Sequence, residues 1–130
     1  MDKVLPMPSP VSQPYFDGCK QGELLLQYCS VCDRSQFYPR VMCSHCGSGS
    51  LTWHQASGEG VVVSFTVVRR SVSKAYDAPY VIALIDLPEG VRMMAQLAGV
   101  DVDTVSVGLS VKAQFEAWSD EVTLPVFYPT

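Results

Sequence analysis

Four cysteines in this chain are spaced for metal chemistry. Cys29-Ser30-Val31-Cys32 is followed, ten residues on, by Cys43-Ser44-His45-Cys46. Each pair brings two thiols onto one tight turn, and two such turns supply the four soft sulfur ligands that a closed structural zinc site prefers. Gly47 follows the second pair, where a positive φ lets backbone N–H groups turn toward sulfur. Asp33 holds the equivalent place after the first pair and tolerates that conformation better than most non-glycine residues. The spacing predicts a zinc ribbon with Cys29, Cys32, Cys43 and Cys46 as ligands, and the loop between the pairs is long enough for two short strands and a turn. Iron held by the same sulfurs as in rubredoxin, and two disulfides, are the alternatives. Met1–Pro10 has no apolar h-region, so no export signal is read there and a reducing, cytoplasmic setting is expected. His45 reads as an outward knuckle residue and Cys19 as a plain thiol of the N-terminal segment.

The remaining chemistry is sparse. There is no Ser-His-Asp set, no cysteine beside a histidine outside the ribbon, and no motif that pairs two carboxylates. His54 stands alone and reads as structural or exposed. A catalyst working by itself is therefore not expected. Arg69, Arg70 and Lys74 form a cationic cluster that suits an anionic ligand, an acidic partner surface or plain solvent.

The elements that position these residues follow from pattern. Residues 1–13 hold three prolines among small polar residues, without period, and read as an extended arm lying on a partner or mobile. Pro14 to Gln21 fits two helical turns, with Pro14 at the start, Gly22 just past the end, and Tyr15 and Phe16 on the packed face. Glu23 to Gln27 leads into the first cysteine pair as a strand, and Phe37-Tyr38-Pro39 makes the ribbon's far wall. Trp53, His54 and Ser57-Gly58-Glu59-Gly60 read as the join, with Trp53 plugging the seam.

Beyond Gly60 the period becomes two. Val61, Val63, Phe65 and Val67 alternate with Val62, Ser64, Thr66 and Val68, giving a long strand that ends at Arg69-Arg70. Pro79 to Leu87 forms the next, and Leu87-Pro88-Glu89-Gly90 turns tightly into a third from Val91 to Ala98. Gly108 opens a fourth, in which Val111, Ala113, Phe115 and Ala117 share a face, and Thr123 to Tyr128 closes the set. Five bent strands with no helix long enough for a crossover predict a small barrel of the OB type, with a sandwich as the alternative. The expected fold is mainly β: an arm and short helix (1–22), a rubredoxin-like zinc ribbon (23–56) and a five-stranded OB-fold (57–130).

Composition narrows the partners. At 130 residues the chain holds one ordinary core or a metal-held module joined to a compact domain. Nearly half the residues are apolar, and only 17% are charged, which leaves apolar surface to bury against another protein. A net charge of −4, made more negative by four thiolates around a divalent ion, disfavours nucleic acid. Pro, Gly, Asp and Arg interrupt every apolar run before it reaches membrane-spanning length.

The residues together resemble a known family: acyl-CoA-associated proteins built from a short N-terminal helix, a rubredoxin-like zinc ribbon and an OB-fold. The resemblance runs from Tyr15-Phe16 through Gly22-Glu23-Leu24, both cysteine pairs with Tyr38-Pro39-Arg40 between them, Trp53, Ser57-Gly58-Glu59-Gly60, Pro79-Tyr80 and Glu89-Gly90-Val91-Arg92. Asp33 departs from the glycine that often follows the first pair. The resemblance implies a non-catalytic subunit that docks on an enzyme acting on CoA thioesters: a thiolase-like acyltransferase, an aldolase of that fold, or a hot-dog-fold hydratase. It implies that ribbon and barrel help shape the partner's acyl-CoA channel while chemistry stays with the partner. Arg69, Arg70 and Lys74 then fall in the loop between the first two barrel strands, which OB-folds commonly use for ligands, and the resemblance implies the phosphates of CoA as what they would meet there. Two rival classes remain open. One is a single-strand nucleic-acid binder stacking bases on Phe65, Tyr76 and Tyr80; the other is a rubredoxin-like iron electron carrier.

Overall fold

A computed structural model describes residues 3–130. Its first regular element is helix α1, Gln13–Lys20, which has proline in its first turn and buries Tyr15, Phe16 and Cys19. Three strands make the ribbon: β1 (Leu25–Cys29), β2 (Arg34–Gln36) and β3 (Leu51–Gln55). β1 is central, antiparallel to both neighbours, with Gln27 opposite Gln36 on one side and Trp53 on the other. The loop between the cysteine pairs therefore holds one strand where the sequence predicts room for two. The second strand of the expected pair comes from beyond the second cysteine pair, and the region expected to be a join is β3. Its Leu51-Thr-Trp-His run alternates in polarity over only four residues before the polar, glycine-rich stretch that follows, which makes it a short signal.

Five strands close the barrel: β4 (Glu59–Val68), β5 (Tyr80–Asp86), β6 (Arg92–Leu97), β7 (Ser110–Ala117) and β8 (Thr123–Pro129). They follow the order β4-β5-β6-β8-β7, and β7 returns to pair with the start of β4. All neighbours are antiparallel except β6 and β8. This is the Greek-key closure of an OB-fold. The tight turn at Leu87–Gly90 is as the sequence predicts, with the Gly90 N–H donating to the Leu87 carbonyl at 3.0 Å. Its Glu89 carboxylate accepts from the Ser57 N–H at 3.0 Å, so the glycine motif and the β5–β6 turn are one structural unit.

The predicted inward face of β4 is wrong for its first half. The expectation placed Val61, Val63, Phe65 and Val67 together, but Val62 is fully buried while Val61 is 41% exposed. A bulge between Val62 and Ser64 supplies the reason. One extra residue resets the two-residue period, so the strand turns Val62 inward before it and Phe65 and Val67 toward the core after it. The bend also lets one strand pair with β7 at its start and β5 along its length. Gly60 is needed here for space: a Cβ at that position would meet Ile85 Cγ2 at 2.5 Å.

One core runs through the whole molecule. Tyr15, Phe16, Cys19, Leu24 and Leu26 belong to the same buried cluster as Val62, Ile85, Met93, Val111 and Phe127. Helix α1 is the bridge, packing on β1 on one side and on β7 and β8 on the other. Phe37 and Tyr38 reach back from the ribbon to Tyr15, at ring-centroid distances of 5.3 and 6.0 Å. Trp53 packs half-buried against this core, close to the seam-plugging place predicted for it.

Candidate metal centre and barrel face

Two matching turns aim the four cysteines at one point. In the first, Asp33 has φ 58° and its N–H donates to the Cys29 carbonyl at 2.9 Å; in the second, Gly47 has φ 78° and its N–H donates to Cys43 at 2.9 Å. Asp33 thus performs the glycine's task, and Tyr28 donates its hydroxyl hydrogen to the Asp33 carboxylate. The four Sγ atoms lie within 4.8 Å of one another, with Cys29–Cys46 at 3.6 Å and Cys32–Cys43 at 3.5 Å. A tetrahedral ion with metal–sulfur bonds of about 2.3 Å requires sulfurs about 3.8 Å apart. A disulfide requires about 2.0 Å, and all five cysteines are free thiols here.

Local electrostatics prepare the sulfurs for a cation. The Cys32 N–H holds the Cys29 thiol below its ordinary pKa. Burial pushes Cys43 up, but N–H groups of Cys46 and His45 more than reverse this and bring it to about 6. Cys32 is pushed up to about 12, first by burial and then by the three neighbouring sulfurs. Four thiolates cannot coexist at this spacing without a positive ion among them, so the cluster supports structural metal binding. His45 is exposed, as expected, and Cys19 is a buried thiol raised to about 11 by burial, well apart from the cluster.

Two buried glutamines that the sequence reading overlooked shape the second turn. Gln36 donates to Gln27 Oε1 at 2.7 Å and to the Met42 carbonyl at 3.3 Å, and its own oxygen accepts from the Ser44 N–H at 2.7 Å. Gln27 clasps Arg40 from both sides, accepting from its N–H at 2.8 Å and donating to its carbonyl at 2.9 Å. These side chains replace the missing strand by hydrogen-bonding an irregular backbone as a neighbouring strand would. The available signal was polar residues at core positions of flanking strands. His54 is structural, with Nε2 2.9 Å from Ser35 Oγ across the sheet.

The cationic cluster lies in the loop between the first two barrel strands. β4 ends at Val68, so Arg69 and Arg70 stand beyond it in the β4–β5 loop and are not held to opposite faces by strand geometry. Arg69 reaches Asp103 at 3.7 Å, with both side chains largely exposed. Arg70 and Lys74 are exposed and make no salt bridge among the described residues. The large pocket beside this loop, about 540 Å³, includes none of the three; Tyr76, Tyr80, Trp118 and Met94 are among its walls. Phe65, a proposed base-stacking residue, packs against the core instead.

Comparison with known proteins fits both halves. Residues 16–52 match the family described as the ChsH2 rubredoxin-like zinc ribbon domain, and residues 53–116 match the ChsH2 C-terminal OB-fold domain. A DUF35 domain-containing scaffold protein of Methanothermobacter thermautotrophicus is 32% identical over 72% of this chain and 71% of its own length. The chain belongs to the ChsH2/DUF35 family. Enzyme subunits are among its relatives in that family. The probable enoyl-CoA hydratase alpha subunit of Thermomonospora curvata is 36% identical over 88% of this chain, and the benzoylsuccinyl-CoA thiolase subunit BbsA of Geobacter metallireducens is 32% identical over 78%. The match spans only 36% of that hydratase subunit, so this chain corresponds to about a third of it. A solved structure of an Ltp2-ChsH2(DUF35) aldolase contains a chain that superposes with a TM-score of 0.88 at 34% identity, over 96% of this chain and 98% of that one. As in the sequence, no described helix is long and apolar enough to cross a membrane.

Proposed function

We propose that this chain is a non-catalytic accessory subunit that docks on an enzyme acting on acyl-CoA thioesters and helps shape its acyl-CoA site. The observation that carries this reading is the end-to-end likeness to the DUF35 chain of an aldolase complex. A thiolase-like acyltransferase and an enoyl-CoA hydratase are the other partner classes, from the names of the relatives. Zinc bound by Cys29, Cys32, Cys43 and Cys46 is the structural cofactor, because the sulfurs match a closed tetrahedral site with no ligand position left open. Neither histidine lines the barrel pocket, and His54 pairs with Ser35 on the ribbon sheet. Arg70 and Lys74 are the cations we assign to the phosphates of a CoA molecule shared with the partner. Arg69 belongs to the same loop but is engaged by Asp103.

Reconstitution tests the reading. The isolated chain is expected to turn over no acyl-CoA, and a partner enzyme co-purified from native extract is expected to lose activity or stability when the chain is withdrawn. Thioester cleavage, hydration or acyl transfer by the chain alone, surviving repurification, would sink the accessory role.

A further inference from the structure

The pocket on the barrel's β5–β6 face already has a tenant. It sits between the β4–β5 loop and the β7–β8 loop, with Ile82, Met93 and Val126 among its apolar lining. Its rim is aromatic: Tyr76 lies 6.4 Å from Tyr80 and 6.1 Å from Trp118, centroid to centroid, and Asp77 adds a carboxylate. Across this rim runs the chain's own N-terminal arm. Lys3 Nζ stands 4.7 Å from the centroid of the Trp118 ring, and the Val4 N–H donates to the Tyr76 hydroxyl at 3.2 Å. The arm was expected to lie on a partner or remain mobile, yet its Lys3 lines the pocket.

How the arm is held indicates what the pocket recognises. Val4 and Met7 leave their side chains 81% and 93% exposed, while Leu5 is 39% exposed and Pro6 partly buried, so the arm's apolar contact is confined to its middle. The specific contacts are an ammonium over an aromatic face and a backbone N–H on a phenol oxygen. One contact reads a lysine side chain and the other reads extended main chain. Together they describe a lysine-bearing peptide, in contrast to a free ammonium compound, which has no backbone N–H to offer.

We propose that this face is a binding site for an extended, lysine-bearing peptide segment, with the N-terminal arm as its tethered occupant. A tethered occupant raises the concentration an outside peptide must reach, because displacement competes with an intramolecular contact. A single exposed cation–π contact holds weakly enough for a partner's segment to replace it. The site does not depend on which enzyme the chain serves.

The test uses the full chain, with the Trp118 indole N–H and the Lys3 ε-methylene protons followed by NMR. In the wild type the ε-methylene resonance is expected upfield from ring current, and Trp118→Leu should abolish that shift. A synthetic acetyl-Lys-Val-Leu-Pro-Met-Pro-amide, the arm's own Lys3–Pro8 sequence, should perturb the indole resonance of Lys3→Ala at concentrations about two- to fivefold lower than it needs in wild type. Tyr76→Phe keeps the ring and removes the hydroxyl, so it should loosen the arm without threatening the fold. Choline, as the comparison ligand, should bind more weakly than the peptide. Equal titrations of wild type and Lys3→Ala, an unshifted Lys3 resonance, or choline matching the peptide would each overturn the assignment.

Discussion

At the scale of single residues, Gln36 holds the second cysteine turn in place. Its amide bonds Gln27, Met42 and Ser44 at once, and the Ser44 N–H it satisfies lies next to the ligand Cys43. Gln36→Leu keeps the size and removes every one of these bonds, leaving the part-buried Ser44 N–H and Met42 carbonyl without their partner. The expected loss is about 1–3 kcal/mol of stability and a ten- to hundredfold weaker hold on zinc, measured by melting and by competition with a chromophoric chelator. Unchanged zinc affinity would show that the turn is fixed by its backbone alone. Cys43→Ser removes one of the four proposed ligands. Because so short a ribbon has too little core of its own to offset its chain entropy, residues 23 to 56 should then lose amide-exchange protection while the barrel keeps its own. Metal analysis of wild type returning iron, or less than about half an equivalent of zinc, would contradict the assignment of the ion.

At the scale of elements, the β5–β6 hairpin carries a test of its electrostatics. Arg92 donates to Asp86 through Nε at 2.6 Å and through a second nitrogen at 3.0 Å, and these bonds hold the Asp86 carboxyl below the usual range. A folded pKa below the unfolded value of about 3.9 means the contribution is present above that pH and fades as pH falls through the folded value. Asp86→Asn should therefore lower the melting temperature slightly at pH 7, with the difference closing as the solution is acidified below about pH 4. A difference that persists in acid would assign the loss to packing. The same hairpin was legible in the sequence, since Leu87-Pro88-Glu89-Gly90 is a turn signal between two largely apolar runs. The β4 face was not, because a bulge leaves no mark in a strand where Val61, Val62 and Val63 are all apolar. Nor was β3: its pairing with β1 brings together residues more than twenty apart, and only the fold decides it. The convergence of the four cysteines was legible because ligand chemistry constrains residue type and spacing more tightly than packing does.

At the scale of the whole molecule, the continuous core through α1 joins ribbon and barrel. The β4–β5 loop offers two cations free of salt bridges among the described residues, Arg70 and Lys74. If they meet CoA phosphates in the complex, Arg70→Ala should raise the apparent KM for acyl-CoA several-fold, corresponding to about 1–2 kcal/mol for a partly exposed charge-assisted contact, and assembly should survive. If the loop instead faces an acidic partner surface, the same change should weaken the complex in a salt-dependent way and leave the KM of the residual complex unchanged. Arg69→Ala serves as the internal reference. Its guanidinium already faces Asp103, so its loss should shift KM less than that of Arg70. A larger KM effect at Arg69 would mean that the Asp103 pair opens on docking and that Arg69 is the phosphate ligand. No effect at either position, on KM or on affinity, would return the loop to solvent and leave the partner alone to bind CoA.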